Sequence, residues 1–377
     1  MATKIKKGLQ LASMVPQFLW RTAKYHLNQP QSRNIYYVVP DKEWVTDWVG
    51  RYITNHIHHQ FQVQATTTAT PQLLTQHLIH YGEAGAYLAS LGKKQNQRNI
   101  LIATIFHGDI VDCSDQLKQN TERFIAHTDQ LTHIVTSATL MKNRLLRWGV
   151  PREKVRLIPL GVDLGLFKPH TIASDKAKKR EKLGIPADAF CLGSFQKDGA
   201  GWGDGLVPKL EKGPDIFIDV VNQLYKKHPN LFILLTGPAR GYVKQGLDKI
   251  GVPYRHDLLN HYHDIVGHYN CLDGYLVTSR EEGGPKAILE ALATKVPLVT
   301  TAVGLAPDLI INGVNGSITA VEDTTALFHA ADQLIQDADI RKQFSDNGYA
   351  TIQNYSWQKI AEKYYHTLYK QIILSPS

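Results

Sequence analysis

The chain has 377 residues, 43% of them hydrophobic, and a net charge of +8. That length exceeds one ordinary domain and suits two, each able to bury a full core. No apolar run approaches the roughly 18 residues of a spanning helix, and Cys113, Cys191 and Cys271 are too scattered for a zinc signature or a disulfide framework, which points to a reducing, cytoplasmic compartment.

The charge is concentrated at the start. Lys4, Lys6, Lys7, Arg21, Lys24 and Arg33 stand in the first 40 residues without an acid, so six of the eight excess charges lie there. The remainder is close to neutral, unlike the basic folded face of a nucleic-acid binder. Leu11, Met14, Val15, Phe18 and Leu19 recur at helical spacing beside Trp20, interrupted by Pro16, and no secretory cleavage site follows. Residues 1–34 read as a basic amphipathic arm. Two roles fit it equally: lying on an anionic membrane surface, at the cytoplasmic face, or covering a flank of the first domain.

From residue 35, short apolar strands alternate with helical stretches, the pattern of parallel sheets flanked by helices. Strands are expected at 35–39, 61–66, 100–106, 131–136 and 155–158, with helices at 115–128 and 139–148. A polar, lysine-rich stretch at 174–182 precedes a restart of the same alternation. Strands then fall at Phe190–Phe195, Leu231–Thr236, 274–278 and 296–301, and helices at Pro214–Lys227, 258–269, 285–294 and 323–336. A last amphipathic helix covers 357–372. The expectation is an α/β protein with two Rossmann-like, doubly wound domains at 35–165 and 166–355 and an interdomain cleft. Residues 356–377 are expected to return to the first domain. Ligands of such sheets sit at the carboxyl ends of the strands.

The most informative stretch, residues 278–293, reads TSREEGGPKAILEALA. A strand ends, Gly283 and Gly284 make the turn, and Pro285 falls in the first helical turn, where proline is tolerated. Free backbone N–H groups and the helix dipole there suit a phosphate. Glu282 on the loop and Glu290 two turns into the helix are eight apart, so both can address one ligand from the cleft. Taken alone, Glu282 would serve equally as a partner of the helix dipole, and Glu290 as a solvated helix residue.

Together with VPLVTTAVG at 296–304, NGVNG at 312–316 and IPLGVD at 158–163, followed by FKP at 167–169, this stretch resembles the donor-site signature of a large family. That family is the retaining GT-B glycosyltransferases of type four, or group 1, and the likeness extends over roughly residues 100–370. The resemblance implies transfer of a sugar from a nucleotide-sugar donor to a carbohydrate or lipid-linked acceptor, with retention, and without a metal or further cofactor. It places Glu282 near the reacting carbon and Glu290 on the ribose hydroxyls, with Arg280, Gly283 and Gly284 in the donor loop. The family's arginine after the first glycine of the domain is missing: Ser194 follows Gly193, and the next basic residue, Lys197, is either a second phosphate contact or an exposed loop lysine. The lysine of the family's Glu-Lys-Gly step is Lys212, a phosphate contact. Residues 198–205 form a glycine-rich insertion, either a lid or a plain hairpin.

In the first half, His107 within FHGD at 106–109 matches the family's cleft histidine, and Asp109 stands beside it. The family's glycine-rich acceptor loop is absent. In its place Trp44 and Trp48, four apart, either stack on an acceptor sugar or pack inward. His56, His58 and His59, and the group His256, His261, His263 and His268, match no standard metal spacing. Other enzymes on this fold, an epimerase or a phosphorylase, and a non-catalytic nucleotide-sugar-binding protein remain as alternatives. A dehydrogenase lacks its GxGxxG after an early strand.

Overall fold

The computed structural model describes residues 33–39, 45–93, 98–109, 115–169 and 173–374. The arm up to Lys24, and Trp44, lie outside the described residues. The first sheet is formed by β1 (Ile35–Val38), β2 (Ala65–Thr68), β3 (Leu78–Tyr81), β4 (Ile100–Thr104), β5 (His133–Thr136) and β6 (Val155–Leu157). These strands are all parallel, in the order β2-β1-β3-β4-β5-β6. Their flanking helices are α1 (Val45–Phe61), α2 (Ala84–Ser90), α3 (Asp115–Ala126) and α4 (Thr139–Arg147).

After α5 (Ala173–Lys182) the second sheet takes β7 (Phe190–Phe195), β8 (Leu231–Thr236), β9 (Tyr254–Asp257), β10 (Gly274–Val277), β11 (Leu298–Thr301) and β12 (Ser317–Thr319). It too is parallel, in the order β12-β11-β10-β7-β8-β9. Its helices are α6 (Pro214–Lys227), α7 (Gly241–Ile250), α8 (Ile265–Tyr269), α9 (Lys286–Ala293), α10 (Ala306–Leu309), α11 (Thr324–Gln336) and α12 (Ala338–Ile352). Helices on both faces explain the unbroken apolar strands: every residue of β7 and of β8 is buried. Strand order reverses between β1 and β3 and between β7 and β10, and crevices form at the carboxyl ends of such pairs.

Several elements differ from the sequence expectation. The strand expected at 61–66 starts at Ala65, because α1 continues through Phe61, whose ring stacks on Tyr365 at 3.9 Å. The lysine-rich stretch is helical as α5, and Arg180 in it bonds the Cys271 and Ala189 carbonyls and pairs with Asp273. The helix expected at 258–269 begins only at Ile265, after a 3₁₀ turn at Tyr262–Asp264. β3, β9 and β12, of three or four residues each, were not anticipated.

The chain ends on α13 (Trp357–Tyr364), a π turn at Tyr365–Tyr369, and Lys370–Leu374. This segment lies against α1, with Trp357 stacked on Tyr52 at 5.3 Å. A Cβ on Gly161 would sit 2.7 Å from the Trp357 ring, so that position takes only glycine. Deeper in, His80 of β3 bonds the Tyr369 hydroxyl through Nδ1 and the Thr104 hydroxyl through Nε2, the latter at 2.8 Å. A neutral imidazole satisfies both partners by donating from one nitrogen and accepting at the other.

Burial pushes the His80 pKa down to about 3. The folded state therefore binds fewer protons than the unfolded chain. The stability this group contributes is complete above the ordinary histidine value near 6.5 and is lost as pH falls from there towards 3. Between pH 7 and pH 5 the loss amounts to about 2 kcal/mol. Urea denaturation at the two pH values is expected to show a smaller acid loss in His80→Gln than in the wild type. Equal losses in the two proteins would remove His80 as the cause.

Candidate active site

The loop between β10 and α9 is strapped to the Glu211-Lys212-Gly213 step. The Thr278 hydroxyl donates to the Gly213 carbonyl at 2.8 Å, and the Arg280 and Glu281 amides donate to the Glu211 carbonyl at 2.9 and 3.0 Å. Gly213 has φ +61°, and a Cβ there would lie 1.9 Å from the Thr278 oxygen, so the strap requires glycine. It brings Lys212 Nζ to 2.7 Å from Glu282 Oε1, an oxygen that also accepts the Ser279 hydroxyl at 3.1 Å. Both side chains are partly exposed, at 26% and 14%. The pair lies beyond the carboxyl ends of β7 and β10, at the point where strand order reverses.

Glu290 is buried. Its carboxylate accepts the Tyr269 hydroxyl at 3.0 Å, the Tyr262 hydroxyl more closely still, and faces Lys286 Nζ at 3.8 Å. That surrounding excludes a solvated helix face. Burial, followed by the charge of Glu290, raises the Tyr262 pKa, so both tyrosines remain donors. Burial lowers the Lys286 pKa, against the pull of Glu290. Pro285 is the N-cap and the helix starts at Lys286, one residue later than expected.

Arg280, a donor-loop residue by resemblance, is held by partners within the second domain. Its guanidinium makes a fork on Asp215, at 2.8 and 2.7 Å, and bonds Glu322 at 2.6 Å and the Leu210 carbonyl at 2.7 Å. These contacts make it a brace between the loop and α6. Lys197 lies over the Trp202 ring at 3.6 Å. The insertion around it is an ordered hairpin: Gly199 bridges Pro208, and Ala200 N donates to Val207 O at 2.8 Å. It is tied to α7 where the Gly241 and Tyr242 amides donate to the Asp204 and Gly205 carbonyls.

In place of the missing arginine, Arg240 enters from the loop after β8. It donates to the Ser194, Gln196 and Thr236 carbonyls at 2.7, 3.0 and 3.0 Å and lies 3.0 Å from Asp198 Oδ1. Its side chain is fully buried, so the charge is neutralised beneath the end of β7 rather than offered to the cleft.

The first domain meets the donor loop at its glycines. A Cβ on Gly283 would come within 2.5 Å of Phe106, and one on Gly284 within 2.5 Å of Leu160. The Ser137 hydroxyl donates to the Gly283 carbonyl at 3.2 Å. Beside this contact Arg144 of α4 donates to both Glu281 oxygens, at 2.5 and 3.0 Å, and pairs with Asp109 at 3.1 Å. His107 follows Phe106, and its side chain is exposed. Desolvation by the surrounding protein and the nearby Lys212 charge lower its pKa, outweighing Glu282, Glu281 and Glu211. The imidazole is therefore neutral at pH 7.

Trp48 packs across the cleft, 6.3 Å from the Tyr262 ring and 5.9 Å from His263. Among the described residues no three of His, Cys, Asp or Glu converge on a point. His268 bonds Asp257, and His256 bonds the Gly237 carbonyl. Sequence reasoning missed Arg144, Tyr262, Tyr269 and Lys286. Only Lys286, four residues before Glu290 on one helix, carried a readable signal.

Two Rossmann-like domains facing across a cleft, with the loop after β10 and the Lys212 step on one wall and His107 on the other, define a GT-B protein. Residues 208–351, within the second domain, match the family model described as glycosyl transferases group 1. The lipopolysaccharide core biosynthesis mannosyltransferase LpsB of Rhizobium meliloti is 29% identical over 212 residues, 53% of this chain and 56% of that protein. The N-acetyl-alpha-D-glucosaminyl L-malate synthase of Bacillus anthracis is 23% identical over 302 residues, 78% of this chain and 74% of the relative. The chain thus spans little more than half the length of the mannosyltransferase. Among solved structures, Anabaena HepE in complex with UDP and glucose superposes with a TM-score of 0.69 at 20% identity, covering 89% of this chain and 99% of that one. Sucrose-phosphate synthase from Thermosynechococcus elongatus gives 0.64 at 19%, over 89% and 80%.

The glycine contact supplies a test. Gly283→Ala is expected to lower stability by about 1–3 kcal/mol through overpacking against Phe106. Gly85→Ala, whose Cβ meets only Glu83 Oε1 at 3.7 Å, should leave it level or raise it slightly. Urea denaturation reads both, and an unaffected Gly283→Ala protein would mean the domains do not close this tightly in solution.

Proposed function

We propose that the protein is a metal-independent, retaining glycosyltransferase that moves a sugar from a nucleotide-sugar donor to a carbohydrate or lipid-linked acceptor. The observation that carries this reading is the Lys212–Glu282 pair at the carboxyl edge of the second sheet, opposite a neutral His107. UDP or its sugars occupy related folds such as HepE. The chemistry of this pair suits the same kind of ligand. An arriving diphosphate takes over the Lys212 ammonium, because a charge-assisted bond to phosphate replaces the one to Glu282. Glu282, released from its partner, is then next to the sugar. Glu290, presented by two tyrosines, offers a charged acceptor to the ribose hydroxyls.

As the bond from the anomeric carbon to the phosphate oxygen breaks, negative charge grows on that phosphate. Lys212 and the amides at the start of α9 stabilise it. The acceptor hydroxyl forms the new bond on the face the phosphate leaves, and its proton passes to a phosphate oxygen, so configuration is retained. A neutral His107 accepts or donates a hydrogen bond to the transferred sugar without repelling Lys212 further.

Glu290→Gln keeps the shape and removes the charge. UDP affinity, by calorimetric titration, is expected to drop about tenfold or more, given roughly 1.5–3 kcal/mol per hydrogen bond to a charged group. Turnover of a nucleotide-sugar panel should persist in excess EDTA, with the product anomer matching the donor by NMR. An inverted product, or loss restored by manganese, contradicts the mechanism.

No helix among the described residues is long and apolar enough to cross a membrane. The reading of the arm as a tether at the cytoplasmic face rests on its sequence, where each basic residue near an anionic surface contributes about 1 kcal/mol. Co-sedimentation with anionic liposomes should be salt-sensitive for the full chain and absent once residues 1–26 are removed. Negligible binding by both proteins rejects the tether.

A further inference from the structure

His107 faces two ways. Its ring feels the charges of Lys212 and Glu282 on the donor side. It also forms part of the wall of a cavity of about 410 Å³ between α2 and α3. Leu88, Ile105 and Phe124 are the buried, apolar side of that cavity. On α2 the facing residues are Ala84, Gly85 and Ala89, too small to fill it. Asn120 and Arg123 of α3 supply polar groups in the wall. A mainly apolar cavity of this size with a few polar groups is the usual form of a small-molecule site. His107, which lines this cavity and also feels the charges of Lys212 and Glu282, marks the end of a ligand that points at the donor.

We propose that this cavity receives the non-reacting part of the acceptor, and that this part is an apolar alkyl or aryl aglycone. This rests on the glycosyl-transfer reading. An amphiphile seated here places its polar, hydroxyl-bearing end at His107 and its apolar body between the helices. Trp48, engaged with Tyr262 across the cleft, is then not the residue that selects the acceptor. The selectivity comes from the space left by three small side chains of α2.

The test compares n-octyl and methyl β-D-glucopyranoside as probes, both below micellar concentration, by calorimetry or ligand-observed NMR. UDP is titrated in parallel. Each methylene that enters an apolar site gains roughly fourfold in affinity, so the octyl glucoside is expected to bind the wild type at least about tenfold more tightly. Gly85→Leu has room at its Cβ and fills the cavity. Ala89→Trp does the same from an exposed helix position. Both should abolish the octyl preference while UDP binding and the melting temperature stay at wild-type values. Equal affinity of the wild type for the two glucosides, with UDP binding intact, overturns the cavity assignment alone. So does a preference that survives in both folded variants. If the wild type binds neither UDP nor any other nucleoside diphosphate, the glycosyl-transfer reading falls, and the cavity's ligand is not an acceptor.

Discussion

The carbonyl of Gly283 accepts the Ser137 hydroxyl at 3.2 Å, and the same residue has no room for a Cβ because Phe106 stands 2.5 Å from where it would be. At this point the backbone of one domain rests on the backbone of the other, and the elements of the cleft take their positions from it. Phe106 precedes His107, Gly283 follows Glu282, and Gly284 touches Leu160 of the segment that leads into the second domain. A side chain at either glycine would separate the histidine from the glutamate. The glycine pair was read as a turn that frees amides for phosphate, and in the structure it also sets the spacing between the domains.

The strong signals of the sequence were local ones. Long apolar strands such as Phe190–Phe195 and Leu231–Thr236 stand where their composition put them. So does the strand–turn–helix context of Glu282 and Glu290. Short strands escaped notice because three or four residues carry too little periodicity, as in β3, where a buried histidine interrupts the apolar run. The residues that complete the site were illegible for another reason. Arg144 reaches Glu281 from 137 positions away, and Tyr262 reaches Glu290 only because a 3₁₀ turn sits where a regular helix was expected. Neither contact follows from spacing along the chain. Arg240 shows the same limit: the cation missing after Gly193 has a counterpart beneath the strand, supplied from another loop and already neutralised by Asp198.

Glu290 illustrates how burial and function meet. A carboxylate this enclosed is tolerated only with compensating partners, here the Tyr262 and Tyr269 hydroxyls as donors and the Lys286 ammonium 3.8 Å away. Phe167, Phe195 and Tyr275 pack on those tyrosines, so the acid is fixed in orientation by the aromatic core of its own domain. Trp48 extends that aromatic contact to the first domain.

Arg144 links two carboxylates that belong to different domains, Asp109 at 3.1 Å and Glu281 at 2.5 Å. Moving the domains apart leaves the arginine with one of them and strands the other beside water. Each of the three side chains retains about a fifth to a quarter of its surface in solvent, so dissolved ions reach the separated charges and lower the cost of parting them. At physiological ionic strength the reach of such charges is about 8 Å. The balance between closed and parted cleft is therefore coupled to salt, and the ionic composition around the protein enters the energetics of the site.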